Sequence, residues 1–366
     1  MRFKVYLILY SLHFNTLRMN NNFTKFIFLV SLCITSLIFS QKRTEDFNLR
    51  ISENEKINSP YKTIKLIDVR PDTTNIGIIQ KGAFNSKVKV VPSTPLKIQF
   101  QELLNNLNKN ESANDELVLY LKQFYFAEVT GALSEKGYCY FQAFLFSKKS
   151  ENEYLFLNKI DSVIVHSSLD VTKATMKKGS DLVSNFMIRN MYHKPTSGEI
   201  LSLDDVLNYD KIIKKQYPLY SQNQLTDGLY KDYESFRDQK PSDIIPINIK
   251  TNPSGERVQR VFTSKNGKEK EIYDKSDYYA LVYQGVPYIY TNIENTMSKL
   301  RKDEKTKDFY FLAKAKTTAK TGNIVTASIF FGIIGGLIAS DANAVFEMKI
   351  DYLNGSFIPI KEISKK

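Results

Sequence analysis

The chain has 366 residues, of which 42% are hydrophobic and 13% aromatic, and its formal net charge at pH 7 is +12. This apolar content is sufficient for two ordinary hydrophobic cores. Two cysteines are present, Cys33 and Cys139, and Cys33 lies in a segment that we expect to be removed. An intrachain disulfide is therefore excluded in the mature chain, whose stability must come from burial.

The N-terminus has the pattern of a secretory signal peptide. Lys25 supplies the positive charge, residues 26–39 form an apolar run, and the small residue Ser40 precedes Gln41. The run of about 14 residues is shorter than the roughly 20 that a membrane-spanning helix needs, which favours cleavage over a transmembrane anchor. Met19 precedes this pattern and is a second candidate for the true start of the chain.

Export changes the interpretation of the charge. Residues 1–40 contain four basic residues and no acidic ones, so cleavage lowers the net charge from +12 to +8. In a cytosolic protein this excess would suggest nucleic acid as the partner. Outside the cytoplasm we expect no nucleic acid, and the expected partners are a membrane surface, an envelope protein or an anionic envelope polymer. Because the lysines are scattered, a merely solvated basic surface remains the alternative.

The first ordered elements are a strand and a helix. Residues 41–60 are polar and lack periodicity, which predicts a flexible leader. The strand TIKLIDVR follows and ends before Pro71. Thr94 is the predicted cap of the helix and Pro95 its first residue, because both residue types are typical of helix starts. The apolar stripe of this helix is Leu96, Phe100, Leu103, Leu104 and Leu107.

Three long strands and a second helix follow in the chain. Asp170 is the predicted cap of the second helix. The order strand, helix, three strands, helix predicts an α+β domain over residues 61–193, in which a small antiparallel sheet carries both helices on one face. The strands are predicted over residues 115–129, 137–149 and 153–167, with a turn at 148–153, and the helix stripe is Leu182, Val183, Phe186 and Met187.

A linker and a second domain complete the chain. Residues 194–224 contain proline, glycine, serine and threonine at their start, which predicts a linker. Residues 225–366 predict a β-rich domain of short strands. Asn266-Gly267 is a strong hairpin signal, and two short strands are expected to hinge at Gly285.

The second domain resembles a module of uncharacterised exported proteins of Gram-negative bacteria. The matching residues are Gly228-Leu229-Tyr230 with Tyr233, Phe236 and Pro241, then YYALVYQGVPYIY, then KIDYLNGSFIPI. This resemblance implies export and no known activity. The first domain, with IDVRPDTTNIGIIQ leading into a helix and long strands, is similar to the periplasmic auxiliary lipoproteins of ABC-type transport systems.

No motif indicates catalysis. The chain has no G-x-S-x-G nucleophile elbow and no phosphate-binding loop. His166 and His193 lack a second histidine or a carboxylate at ligand spacing, so we expect neither a metal nor a cofactor. Cys139 is predicted to be a small strand residue rather than a nucleophile. Lipidation of Cys33 is not expected, because Leu32 stands where lipoprotein processing needs a small residue. We therefore predict a protein that is not an enzyme.

Two groups of side chains are candidates for ligand or partner contact. Asp68 and Arg70 lie on one face at the end of the first strand, where they either line a groove for a charged ligand or form an ion pair that closes the strand end. Five tyrosines of the second domain either form a stacking platform for sugar or peptidoglycan fragments or cover a sheet. They are Tyr278, Tyr279, Tyr283, Tyr288 and Tyr290.

Residues 324–339 are the most apolar stretch of the mature chain and raise the question of a membrane span. As a helix, these residues would extend about 24 Å, below the roughly 30 Å of a hydrocarbon core. Glycine permits bends and close approach of another backbone. The candidate contact residues in this apolar run are Phe331, Gly332, Gly335 and Gly336.

The flanks of the apolar run indicate how it is held. Residues 309–316 and 345–352 each alternate between apolar and polar side chains, which predicts two half-buried strands in one sheet. A single membrane crossing would place these strands in different compartments, and it would put lysines on the exported side, against the positive-inside tendency. An excursion that leaves and rejoins one sheet is favoured. A buried core segment and a true transmembrane helix are the alternatives.

The sequence thus predicts an exported α+β protein, periplasmic or associated with the outer membrane, that acts in the cell envelope as a non-catalytic binding or assembly component at a membrane surface. One alternative is a single-pass membrane protein anchored by residues 324–339. The other is a secreted enzyme of unrecognised type.

Overall fold

The structure is a computed structural model that describes residues 44–50, 56–81, 85–130, 135–169, 171–192, 194–292, 295–316 and 343–363. The predicted signal peptide and the apolar run lie outside these ranges. The described chain is mixed and richer in strand than in helix, which confirms the α+β class in its coarse form. Every helix in the described ranges is too short or too polar to cross a bilayer. Residues Asp46–Lys366 form one compact unit.

An eight-stranded sheet contains the three long strands that the sequence predicts. These are β5 (Asp115–Thr130), β6 (Glu135–Ser150) and β7 (Glu153–Ser168), and consecutive members pair antiparallel. The remaining strands are β1 (Thr44–Phe47), β2 (Tyr61–Asp68), β3 (Gly77–Lys81), β4 (Ser86–Pro92) and β8 (Ile200–Leu201). The order is β1-β4-β3-β5-β6-β7-β8, with β2 also paired to β5.

This sheet is mixed, which corrects the prediction of an antiparallel sheet. Both β2 and β3 run parallel to β5. A parallel pair requires a crossover connection, because the chain must return to the same end of the sheet. The helix α1 (Leu96–Leu107) lies in this crossover and packs against β2.

Two helices pack on one face of the sheet, as predicted. The whole apolar stripe of α1 is buried there, together with Val183, Phe186 and Met187 of α2 (Thr172–Asn190). The predicted cap of α1 is wrong. The Thr94 side chain does not cap the helix. The backbone carbonyl oxygen of Thr94 instead accepts a hydrogen bond from Nε2 of Gln99 at 2.8 Å. Asp170 lies outside the described residues.

The predicted leader contributes to the main core. Phe47, Leu49 and Ile57 are buried, and the Phe47 ring lies 5.4 Å from that of Phe124. The backbone amide of Leu49 donates to Oε1 of Gln99 at 2.7 Å. Isolated apolar residues in a polar stretch carry no periodicity, so the sequence pattern did not indicate their burial.

The predicted linker, residues 194–224, also differs from the expectation because it forms short helices. They are α3 (Leu203–Leu207), α4 (Tyr209–Lys215) and α5 (Pro218–Ser221). Ser202 and Asp205 form a capping box at the start of α3, and Pro218 begins α5. Ser202 and Pro218 therefore start helices. The residues on which the linker prediction rests, Pro195 to Gly198, lie in irregular structure before the first of these helices.

These short helices cover the second face of the eight-stranded sheet. Tyr209 packs edge-on against the rings of Phe144 and Phe146, with centroid distances of 5.0 and 4.8 Å. Val206 is fully buried in the same cluster, and Leu353 from the C-terminal part of the chain packs against it. The central strands β5 and β6 are consequently buried on both faces.

Two further sheets form the C-terminal part. The seven-stranded sheet has the order β10-β11-β15-β14-β13-β9, with β12 paired to β11, and the four-stranded sheet has the order β16-β17-β18-β19. The elements are β9 (Gly228–Tyr230), α6 (Tyr233–Arg237), β10 (Pro246–Thr251), β11 (Arg257–Lys265), β12 (Lys268–Ile272), β13 (Ala280–Tyr283), β14 (Val286–Thr291), β15 (Thr296–Lys299), β16 (Arg301–Lys302), β17 (Phe309–Lys314), β18 (Val345–Ile350) and β19 (Phe357–Ile363).

The turn predictions in this part are confirmed. Asn266 and Gly267, with φ of 54° and 71°, connect β11 to β12. Gly285, with φ of 73°, lies in the turn between β13 and β14. Both turns need a left-handed conformation, which Asn266 and the two glycines tolerate and which Gln284 also adopts, with φ of 51°.

The two strands that flank the apolar run are neighbours in the four-stranded sheet. β17 and β18 pair antiparallel from Tyr310–Lys349 to Lys314–Val345. Their apolar side chains are buried in one cluster, as the alternation predicts. These buried residues are Phe309, Phe311, Ala313, Ala315, Phe346, Met348, Ile350 and Tyr352.

Candidate functional site

Asp68 and Arg70 form an ion pair at the end of β2. Nε and Nη2 of Arg70 donate to the two carboxylate oxygens of Asp68 at 2.8 and 2.7 Å, and Nη1 donates to the carbonyl oxygen of Asn75 at 3.1 Å. The Arg70 side chain is buried. The geometry matches the structural interpretation of this pair, in which it fastens the following loop to the strand end.

Of the two alternatives for the five tyrosines, the structure fits the one in which they cover a sheet and not the exposed stacking platform. Tyr278, Tyr279, Tyr288 and Tyr290 are all buried. Burial and, secondarily, the nearby carboxylate of Glu256 raise the pKa of Tyr288. Tyr283 is partly exposed, and its hydroxyl donates to the carbonyl oxygen of Ile247 at 3.3 Å. Four of the five rings therefore serve the core rather than a stacking surface.

The remaining predicted contact residues, Phe331, Gly332, Gly335 and Gly336, lie outside the described residues. The structure does describe where the chain leaves and re-enters the four-stranded sheet around them. The backbone amide of Ala315 donates to the carbonyl oxygen of Ala344 at 3.0 Å. Both ends of the segment that contains the apolar run are thus side by side.

A buried polar junction links the C-terminal turn to the eight-stranded sheet, and the sequence analysis did not identify it. The turn DYLNGS, residues 351–356, connects β18 to β19. The amide of Gly355 donates to the carbonyl oxygen of Asp351 at 2.7 Å, and the amide of Asp351 donates to that of Ser356 at 2.8 Å. The Asn354-Gly355 pair inside the closing motif is the sequence signal that could have indicated this turn.

Two aspartates face each other across this junction. Tyr140 Oη and Asn354 Nδ2 donate to the two carboxylate oxygens of Asp161 at 2.7 and 2.9 Å. Gln142 Nε2 donates to Asp351 at 3.0 Å. Asp161 lies on β7, and the desolvation of its carboxylate at these contacts, together with the charge of Asp351, raises its pKa. The same burial and both charges raise the pKa of Tyr140.

Charged side chains surround Tyr352 of the same turn. Its hydroxyl donates to Asp210 of α4 at 2.6 Å, and Nζ of Lys122 lies 3.9 Å from the centre of its ring. Lys122 also contacts both carboxylate oxygens of Asp210 at 3.1 Å. Burial acts to raise the pKa of Asp210, but Lys122 and the Tyr352 hydroxyl outweigh it and lower that pKa. The carboxylate of Asp210 thus accepts from both Lys122 and Tyr352 within the protein.

The space at this junction is too small for a substrate. A cleft of about 40 Å³ is bordered by Lys122, Asp210, Asp351 and Tyr352. Typical small-ligand sites have volumes of about 300–1,000 Å³, so this cleft is well below their range. The geometry therefore favours a structural role for the junction, in which paired polar groups fix how the turn sits on the sheet.

The candidate nucleophile and metal ligands are not brought together. Cys139 is fully buried, and this burial raises the pKa of its thiol. His166 lies on β7, whereas His193 is outside the described residues. Within the ranges that the structure describes, no three histidine, cysteine or acidic side chains are placed to hold a metal ion.

No family model matches the chain, and no curated protein matches it. Among solved structures, a protein from Xanthomonas campestris described by family-model DUF330 is similar over 40% of this chain and 93% of its own, at 8% sequence identity and a TM-score of 0.28. A second, described as an uncharacterized protein, is similar over 40% of this chain and 98% of its own, at 12% identity and a TM-score of 0.23. Both neighbours are uncharacterised bacterial proteins.

Proposed function

We propose that this chain is an exported, non-catalytic component of the cell envelope that binds or assembles at a membrane surface through the apolar run, residues 324–339. The signal-like N-terminus, with Lys25 before an apolar stretch and Ser40 after it, supports export. Residues 324–339 are the most apolar stretch after the signal-like segment, and an apolar patch that is exposed typically marks an interaction site. In this proposal the apolar run makes the contact, and the sheet that contains β17 and β18 holds both of its ends.

The pairing of β17 with β18 is the observation that carries this proposal. Ala315 and Ala344 are joined by a backbone hydrogen bond of 3.0 Å, so the intervening chain departs from and returns to one place. A single crossing would separate its ends by the thickness of the hydrocarbon core, about 30 Å. The pairing therefore supports an excursion that dips into a membrane surface or meets an envelope partner.

Fractionation of a Gram-negative host that expresses the full chain tests the proposal. We expect the protein to sediment with membranes and to be released by alkaline carbonate, which strips peripheral proteins. Replacing residues 324–339 by a short polar linker should move it to the soluble fraction without unfolding it, because loop closure entropy changes only slowly with length. Gly335→Leu should weaken the association if close backbone approach underlies it.

A control variant removes apolar surface elsewhere. Ile244, Ile245 and Ile247 are exposed, and replacing all three by serine should leave the membrane association unchanged. An alkali-resistant protein whose C-terminus is cytoplasmic would establish the single-pass alternative instead. A linker variant that cannot fold would show that the run is core. Either result overturns the proposal.

A further inference from the structure

One side of β7 has no neighbouring strand over most of its length. On the first side β6 pairs with the whole of β7, whereas on the second side β8 pairs only with Tyr154 and Leu155. Among the described strands, none lies beside residues 156–168 on that second side. None of these residues is buried, although the adjacent β6 is buried throughout residues 137–147. Such an edge presents backbone N–H and C=O groups with which another strand can pair.

The second half of this edge lacks the features that usually prevent edge-to-edge pairing. Those features are charged side chains, especially lysine, together with proline, bulges and short strands. Residues 162–168 read SVIVHSS and contain no lysine, arginine, acidic residue or proline. Their pairing with β6 has no register shift from Ser168 to Asn158, so no bulge bends this part of the strand. Val165, in the middle of the stretch, is 46% exposed.

The other edge strands of the described sheets do carry such features. β1, β9 and β16 have at most four residues each. β10 and β19 each contain a proline and a register shift against the neighbouring strand. β2 and β12 carry exposed lysines, which are Lys62, Lys65, Lys268 and Lys270. Among the described edges, β7 is therefore the one that is open to a further strand.

A second copy of β7 matches this edge. In an antiparallel pair centred on Ile164, this residue lies opposite its own copy, and Val163 lies opposite Val165 of the second copy. Cross-strand pairs of β-branched residues stabilise a sheet, whereas opposed like charges destabilise it. The remaining opposed pairs contain no two like charges, and they are Ser162 with His166, Asp161 with Ser167 and Ile160 with Ser168.

Neighbouring registers fit less well. A pair centred on Val163 would place the apolar Val165 opposite the charged Asp161. A pair centred on Ile160 would direct the second copy against β8, because Leu155 is already paired with Ile200. The register centred on Ile164 overlaps residues 160–168 and stays clear of β8.

We propose that two copies of this chain pair antiparallel through residues 160–168 of β7, so that their eight-stranded sheets join across a two-fold axis. Each copy uses the same edge, so the assembly closes as a dimer instead of growing into a filament. This pairing does not depend on whether the apolar run contacts a membrane.

Analytical ultracentrifugation of the purified protein at micromolar concentrations tests the dimer. Val165→Lys should weaken dimerisation about tenfold or more, because a lysine on an edge strand opposes pairing. Its circular dichroism and melting temperature should stay close to those of the unchanged protein, since Val165 is largely exposed. Ile98→Lys is the matched control, because Ile98 on α1 is 41% exposed, and this variant should dimerise as the unchanged protein does.

Cysteine cross-linking tests the register. Val163→Cys and Val165→Cys proteins, each made with Cys33→Ser, should form a disulfide-linked dimer when they are mixed. Opposed residues of antiparallel strands have Cα atoms about 4.5–5.5 Å apart, which is within the range of a disulfide. Cys139 is fully buried and should not react. Each variant alone should cross-link much less, because identical residues lie two positions out of register.

Three results would overturn the proposal. The first is a protein that stays monomeric at these concentrations, which would leave the edge to a strand of another protein. The second is equal association of Val165→Lys and Ile98→Lys, as expected if the copies associate through the apolar run. The third is a mixture of the two cysteine variants that cross-links no more than either variant alone.

Discussion

Gly355 is fixed by two independent constraints. Its φ of +72° is left-handed, and a Cβ added there would overlap the ring of Tyr233. Gly267 has φ of +71° with open space around its Cβ position, so it shares the first constraint alone. Gly267→Ala should therefore cost about 1 kcal/mol of unfolding free energy, and Gly355→Ala about 2–4 kcal/mol because overpacking is added. Urea denaturation measures both.

Equal losses for these two alanine variants would show that Tyr233 moves aside without penalty. A loss confined to Gly355→Ala would instead show that the left-handed strain is negligible in both turns. The comparison thus separates backbone strain from packing at the turn that carries the polar junction.

Asp161 and Asp72 should affect the pH dependence of stability in opposite directions. The pKa of Asp161 is raised from 3.8, mainly by burial, so its contribution to stability is present below that value and is lost as the pH rises through the folded-state pKa. For Asp72, burial acts to raise the pKa, but hydrogen bonds from Thr74 and Asn75 outweigh it and lower it. The contribution of Asp72 to stability is present above pH 3.8 and is lost as the pH falls through the folded-state pKa.

Unfolding free energies of Asp161→Asn and Asp72→Asn, measured between about pH 3 and about pH 7, check these signs. Relative to the unchanged protein, Asp161→Asn should lose more stability at the acid end, and Asp72→Asn should lose more at neutral pH. The same direction for both variants would contradict the assignment.

Sequence spacing could indicate only the local polar contacts. Asp68 and Arg70 are two residues apart in an extended strand, so the pair was predictable as an ion pair. Asn354 and Asp161 are 193 residues apart, and their contact depends on how the final turn docks on the sheet. No spacing or motif encodes that docking, which is why the junction was missed.

At the level of elements, periodicity predicted which face of a helix or strand is buried. It did not predict whether two strands pair parallel or antiparallel. The stripe of α1 and the alternation of β17 and β18 follow from side-chain direction along a helix or strand. The direction of β2 relative to β5 depends on the crossover between them. The apolar pattern of each strand is the same whichever way the strands pair. The helices of residues 194–224 were missed because each is shorter than the window of about 11–18 residues over which helical periodicity can be detected.

The packing of α1 gives the prediction at this scale. Leu104 is fully buried, whereas Ile98 of the same helix is 41% exposed. Leu104→Ala should lower the unfolding free energy by about 2–5 kcal/mol, as large-to-small core substitutions do. Ile98→Ala should change it by less than about 1 kcal/mol. Chemical denaturation of both variants is the measurement, and similar losses would mean that the helix does not face the core as described.

For the whole molecule, the order of predicted elements and a linker-like stretch predicted separate domains at 61–193 and 225–366. Residues Asp46–Lys366 instead form one compact unit. Leu353 packs in the same cluster as Val206 and Tyr209, and Gln142 on β6 is hydrogen-bonded to Asp351 in the C-terminal turn. Apolar burial and polar pairing therefore both connect the two regions that the sequence divides.

This connection predicts that the compact unit Asp46–Lys366 unfolds in a single cooperative transition. Leu104→Ala lies in the core of the eight-stranded sheet and Gly355→Ala in the C-terminal turn, yet both should lower the temperature of the same calorimetric peak. The calorimetric and van't Hoff enthalpies should agree, because no partly folded state is populated when the regions stabilise each other. Two peaks, each shifted by one variant alone, would show that the regions fold independently and that the junction contributes little to either.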